Sequence, residues 1–160
     1  MLKFISGNIL DSKTETIAQG IACSKTENMA TGVARQIDKK FPEAFKQFKS
    51  WREYNEFVPG NVWYEPSSKS QRCKPRQIYL ATQKNLQKAE YEYLEKSLEN
   101  LKKLIQKEKI KSVSLPKIGC GHGKLNWVRV KSLIQKYLSE LDCEVFVYEE
   151  YFKYKKFLKE

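Results

Sequence analysis

Ser112-Val113-Ser114-Leu115-Pro116-Lys117-Ile118-Gly119-Cys120-Gly121-His122-Gly123-Lys124-Leu125-Asn126-Trp127 is the stretch that decides the fold. Its first four residues read as a short buried strand in which serine alternates with Val113 and Leu115, and Trp127, Val130, Leu133, Ile134 and Tyr137 recur beyond it at helical spacing. Between strand and helix, Gly119, Gly121 and Gly123 alternate with Cys120 and His122. A glycine turn in that place leaves backbone N–H groups free to converge on an anion, and glycine allows the positive φ and close approach that a diphosphate cradle needs. A tight turn that merely requires glycine has the same spacing. The pattern is neither a P-loop nor GxGxxG, which disfavours nucleoside triphosphate hydrolysis and hydride transfer.

Upstream, Leu2 to Ile5 alternates and Ile17 to Ala22 is a short apolar run, so both read as strands. Val33, Ile37, Phe41, Phe45 and Phe48 mark one helical face over Gly32 to Lys49, which Pro42 divides into two helices. Val58, Val62 and Trp63, and then Gln77 to Ala81, read as extended segments on either side of the basic loop Ser67 to Arg76. Tyr91, Leu94, Leu98, Leu101 and Ile105 set a helix over Glu90 to Lys107, and Glu144 to Tyr148 is a last strand. Strands alternating with helices predict a three-layer α/β/α domain around a central mixed, largely parallel sheet. Ser24 to Gly32, rich in small residues, is a second strand-to-helix loop, and two such loops at the carboxyl ends of strands form facing walls of one ligand crevice.

The length of 160 residues fits a single domain over 1–160, with 149–160 a charged aromatic tail. A hydrophobic share of 41% is enough for a sizeable core and excludes disordered and fibrous classes. No apolar run approaches the roughly 20 residues of a membrane-spanning helix, and the first residues lack a signal-peptide layout, so a cytoplasmic protein without a membrane partner is expected. Cys23, Cys73, Cys120 and Cys143 stand apart with no CxxC pair, which reads as free thiols and no metal site. Nothing in the pattern demands a cofactor. The net charge of +11 favours a polyanionic partner, although lysines spread over solvated helix faces would produce the same excess. Lys69 to Arg76 and the lysines of the tail are candidates for contact with a nucleic-acid backbone.

Over nearly its whole length the sequence resembles the macrodomain, the ADP-ribose-binding module. The resemblance rests on Phe4-Ile5-Ser6-Gly7-Asn8-Ile9-Leu10, on Ala30-Thr31-Gly32-Val33-Ala34 followed by Lys39-Lys40-Phe41-Pro42, and on Leu115 to Trp127. It is most similar to the branch of terminal ADP-ribose glycohydrolases and DNA ADP-ribosyl glycohydrolase antitoxins, and less so to ADP-ribose 1″-phosphate phosphatases. The resemblance implies that Asn8 and Ile9 border the adenine, with Tyr148 or Tyr151 flanking it. It implies that Ala30, Thr31, Gly32 and Val33, together with Ile118, Gly119, Cys120, Gly121, His122 and Gly123, wrap the diphosphate and distal ribose, which Ser24 approaches. Gly7, Gln83, Pro116, Lys124 and Leu125 complete the implied ligand-binding set.

Two departures bear on chemistry. Where that branch carries a catalytic lysine after a threonine, this chain reads Thr82-Gln83-Lys84, with Gln83 in register and Lys84 one residue late. Where the terminal glycohydrolases carry an aspartate, it has Gly123, which the antitoxins also tolerate. A one-residue slip in a strand turns a side chain to the opposite face unless the strand end absorbs it. Lys84 as a nucleophile, His122 as a general acid or base and Glu27 as a holder of water are the catalytic candidates. Cys120, between glycines near a helix start, would have a lowered pKa but lacks a partner base and reads as packing. The expected function is binding of ADP-ribose with hydrolysis of an ADP-ribosyl linkage on protein or nucleic acid, or of ADP-ribose 1″-phosphate. The alternatives are a non-catalytic reader of ADP-ribose or ADP-ribosylated partners, and a nucleic-acid binder without ADP-ribose affinity.

Overall fold

Alternation within the strands sorts side chains into two cores. In a computed structural model that describes residues 1–25, 32–67, 74–121 and 123–150, the strands are β1 (Leu2–Ser6), β2 (Thr16–Ala22), β3 (Val62–Tyr64), β4 (Arg76–Gln83), β5 (Ser112–Leu115) and β6 (Glu144–Glu150). They form one sheet in the order β1-β6-β5-β2-β4-β3, parallel throughout except where the edge strand β3 runs against β4. The helices are α1 (Gly32–Lys40), α2 (Pro42–Arg52), α3 (Tyr91–Glu108) and α4 (Trp127–Leu138).

Ile78 and Leu80 of β4 join Ala18, Val113, Leu115, Val145 and Val147 against Leu94, Leu98 and Leu101 of α3 and Val130, Ile134 and Leu138 of α4. Tyr79 and Ala81, one residue out of phase, meet Ala44 and Phe48 of α2 together with Phe57 and Trp63. The rings of Phe57, Trp63 and Tyr79 stand edge-on to Phe48 at 5.0–5.2 Å between centroids. Ile37 of α1 completes that layer against Ile9 and Ile17. This is the expected three-layer mixed α/β arrangement, and β2 runs through its middle buried on both faces, which is why that strand reads as one apolar run.

Local chemistry sets the boundaries. Pro42 is the first residue of α2, where its missing N–H costs nothing, so the long helical pattern splits there and continues to Arg52 instead of stopping at Lys49. Asn126 starts α4, its side-chain oxygen accepting from the Arg129 N–H. A 3₁₀ turn at Ile9–Asp11, too short to leave a periodic signature, follows β1 and is capped by Asn8, whose Oδ1 accepts from the Leu10 N–H at 2.9 Å. Among the described residues no helix is long and apolar enough to cross a membrane.

Leu98 lies fully buried in the α3 face of the sheet. Leu98→Ala is expected to lower unfolding free energy by about 2–5 kcal/mol, read from the midpoint of a denaturant titration.

Candidate functional site

The carboxyl ends of the parallel strands open onto a cleft of about 660 Å³. Gln19 and Gly20 of β2 and Thr82 and Gln83 of β4 line it from the sheet, Gly32, Val33 and Ala34 from the first turn of α1, and Pro116 to Gly121 with Gly123 from the turn after β5. Ile9, Tyr148 and Glu149 close the β6 end. Gly32, the last residue of the first strand-to-helix segment, and the glycine turn after β5 therefore border one crevice at the carboxyl ends of the strands.

The glycine turn is held by its own backbone. Cys120 N donates to Lys117 O at 3.2 Å, Lys124 N to Gly121 O at 3.1 Å, and Leu125 N to Gly119 O at 2.8 Å. Gly119 has φ +77°, a value disfavoured for residues with a Cβ. Gly123 is required for a different reason: a Cβ there would stand 2.6 Å from Gly119 O and 2.9 Å from Ala89 Cβ. An aspartate, the residue that the resemblance gives for terminal glycohydrolases, has no room in this turn. Gly32 combines φ +70° with open space, so a side chain there would project into the cleft rather than into protein.

The register question resolves at a bulge. Ile21 pairs with Ala81, but Ala22 pairs with Gln83, leaving Thr82 as an extra residue in β4. Thr82 and Gln83, consecutive in sequence, both line the cleft, and Gln83 Nε2 donates to Asn85 O at 2.6 Å. Lys84 follows outside: it is exposed, absent from the lining, and its Nζ lies 5.8 Å from the Tyr93 ring centroid. The slip is absorbed, but in favour of Gln83, so the geometry does not bring the proposed lysine nucleophile to the cleft.

Of the other expected residues, Ile9, Gly32, Val33, Gln83, Pro116, Ile118, Gly119, Cys120, Gly121, Gly123 and Tyr148 line the cleft. Gly7, Asn8, Ser24, Lys124 and Leu125 support it from outside the lining. Gly7, at φ +142°, lies beside the Tyr148 ring, where a Cβ would make ordinary contact with Cε2 at 3.5 Å. Leu125 packs behind Gly119, and Ser24 N donates to Lys84 O at 2.9 Å. Glu27, Ala30, Thr31, His122 and Tyr151 lie outside the described residues, as do Lys69 to Cys73 of the basic loop. Arg76 is committed to the fold, donating to Glu65 O from Nε and Nη2 and lying 3.8 Å over the Tyr64 ring.

Four polar residues that sequence reasoning passed over reach the cleft. The Gln19 carboxamide and the Thr82 hydroxyl are buried without a hydrogen-bond partner among the described residues. Glu149 accepts from Lys131 Nζ at 2.8 Å and Trp127 Nε1 at 3.1 Å, and these two bonds hold its carboxyl below the usual carboxylate range. Lys117 is exposed beside the glycine turn, 5.8 Å above the Trp127 ring. A glutamine inside an apolar strand was the one signal that could have pointed to Gln19. Burial pushes the Cys120 thiol up to about 11 against the opposing charge of Lys117, the reverse of the lowering expected from its glycine setting. Among the described residues no three His, Cys, Asp or Glu side chains cluster as metal ligands.

The Macro domain family model matches residues 22–134. The chain belongs to the macro domain family. Along 93% of its length this macro domain is 32% identical to the "DNA ADP-ribosyl glycohydrolase" of Thermus aquaticus, of which it spans 41%. The solved macrodomain of Thermus aquaticus DarG superposes with a TM-score of 0.83 at 30% identity, covering 93% of this chain and 98% of that one. A structure described as Thermosipho africanus DarTG in complex with ADP-ribose shares the fold with a TM-score of 0.80 at 24% identity, over 92% of this chain and 41% of that one.

Two outcomes follow from the turn and its thiol. Gly123→Asp is expected to destabilise the macro domain by about 1–3 kcal/mol in thermal denaturation, with no gain of activity, because the side chain must displace Gly119 O. Cys120 is expected to alkylate with iodoacetamide at pH 7.5 more slowly than free cysteine; a faster rate, followed by peptide mass spectrometry, would contradict the raised pKa.

Proposed function

We propose that this macro domain binds ADP-ribose in the cleft and hydrolyses an ADP-ribosyl linkage, with ADP-ribosylated nucleic acid favoured over ADP-ribosylated protein as substrate. The observation that carries the reading is the opposition of the first turn of α1 to the Ile118–Gly123 turn across the strand ends. A helix start carries partial positive charge and free N–H groups, so a diphosphate fits between the two. Ile9 and Tyr148 offer a base the only wall of that cleft that is both apolar and aromatic among the described residues, which supports a reading with the adenine at the β6 end and the distal ribose toward β4. The preference for nucleic acid draws support from the +11 charge and from the name of the 32%-identical relative.

Hydrolysis places a water oxygen on C1″ of the distal ribose and returns a proton to the departing acceptor. A carboxamide is not a nucleophile, so Gln83 serves orientation, and attack is assigned to water. Glu27, between Ser24 and Gly32 in sequence, and His122, between Gly121 and Gly123, are the groups proposed to hold that water and move its proton. A non-catalytic reader is the second reading, favoured by one observation: Gln83 occupies the cleft where the similar branch carries lysine, and Lys84 faces Tyr93.

Calorimetric titration with ADP-ribose is expected to show micromolar binding. Gly32→Glu should weaken it about tenfold or more, whereas Gly32→Ala, equally strained at φ +70° but small, should bind as wild type within about threefold. Equal loss in both variants would point to strain instead of a filled cleft. In turnover assays on ADP-ribosylated DNA, ADP-ribosyl-glutamate peptide and ADP-ribose 1″-phosphate, multiple turnovers on DNA unaffected by Lys84→Ala are expected. Product release limited to one equivalent of enzyme, or none, would decide for the reader.

A further inference from the structure

Arg52, the last residue of α2, is 6% exposed and makes no ion pair with a carboxylate among the described residues. Its guanidinium rests over the Phe48 ring, with Cζ 5.4 Å from the centroid, and Nε has no hydrogen-bond partner among the described residues. What it does bind is backbone. Nη1 donates to Ser24 O at 3.1 Å and Nη2 donates to Cys23 O. The N–H groups of the same two residues donate to the other side, Cys23 N to Gln83 O and Ser24 N to Lys84 O, each at 2.9 Å.

Cys23 and Ser24 are where the chain leaves the sheet and sets out toward the first turn of α1. Their amides are held by the end of β4 and their carbonyls by one arginine, so the direction in which the segment departs is set from both sides. Burying a guanidinium is costly, and an apolar side chain of similar volume would anchor α2 on Phe48 at lower cost. The distinctive work left to the charge is the pair of charge-assisted bonds to consecutive carbonyls, a fork that arginine matches and lysine does not.

We propose that Arg52 is a positioning residue for the cleft: it fixes Cys23 and Ser24, whose amides hold the Gln83 and Lys84 carbonyls, and thereby the Gln83 end of the site, where the distal half of ADP-ribose would lie. Arg52 itself does not line the cleft. The inference rests on the ADP-ribose reading, and it separates the two ends of the ligand. AMP occupies the β6 end, between Ile9 and Tyr148; the distal ribose alone reaches the end that Arg52 governs.

The test is a titration of wild type, Arg52→Met and Arg52→Lys with ADP-ribose and with AMP, alongside circular dichroism. Arg52→Met is expected to weaken ADP-ribose by about tenfold or more, the worth of hydrogen bonds to a charged group, while AMP changes by less than about twofold. Arg52→Lys, which keeps the charge and can satisfy one carbonyl, is expected to fall between wild type and Arg52→Met for ADP-ribose, again with AMP unchanged. If Arg52→Met does not fold, the ratio of the two affinities in Arg52→Lys decides. Parallel loss of both ligands, as a general loosening would give, overturns the proposal, as does full retention of ADP-ribose affinity in a folded variant. Failure of the wild-type protein to bind ADP-ribose is a different result: it removes the functional reading, and this inference with it. Binding by wild type with no change in the ratio removes the inference alone.

Discussion

The pairing of β2 with β4 is the constraint on which the remainder of the molecule hangs. It is the longest strand contact in the sheet, running from Thr16 opposite Arg76 to Ala22 opposite Gln83, and it breaks step once, at Thr82. Up to that bulge, alternation divides the side chains between the α3–α4 layer and the α1–α2 layer. Past it, two consecutive side chains meet the cleft, and the strand ends are then stitched by Cys23 and Ser24. Without the extra residue, Gln83 would be paired one position on and its side chain would pass to the other face.

A second demand is room. The Gly20 Cα faces Thr82, and a Cβ would lie 2.7 Å from its hydroxyl; Gly123 faces Gly119 O in the same way. The cleft is therefore shaped as much by the side chains these positions lack as by those the walls carry. A ligand that needs backbone amides close at hand is served by such surfaces, which large side chains would bury.

Much of this was legible in the residues themselves. The period of Leu94, Leu98, Leu101 and Ile105 is that of a helix on a sheet, Pro42 marks a helix start, and the Gly119–Gly123 alternation between strand and helix gives the place of the cleft. What stayed hidden depends on registers and distances that no local pattern encodes. A bulge leaves no mark in Ala81-Thr82-Gln83, so the choice between Gln83 and Lys84 had to wait for the strand pairing. Gly123 looks like a tolerated alternative to aspartate until Gly119 O is found where the side chain would go. Arg52 drew no expectation from the sequence, because the carbonyls that hold it come from 28 and 29 residues earlier in the chain.

The indole of Trp127 is bonded to Glu149, a residue of the cleft wall, while Lys117 of the glycine turn lies above its ring. The other two tryptophans, Trp51 and Trp63, sit around Phe48 on the opposite side of the sheet. Indole emission responds to nearby charge and hydrogen bonding, so the molecule carries two optical probes of separate regions: replacing Trp127 by phenylalanine leaves a fluorescence signal of the aromatic core, and replacing Trp51 and Trp63 leaves one of the cleft rim.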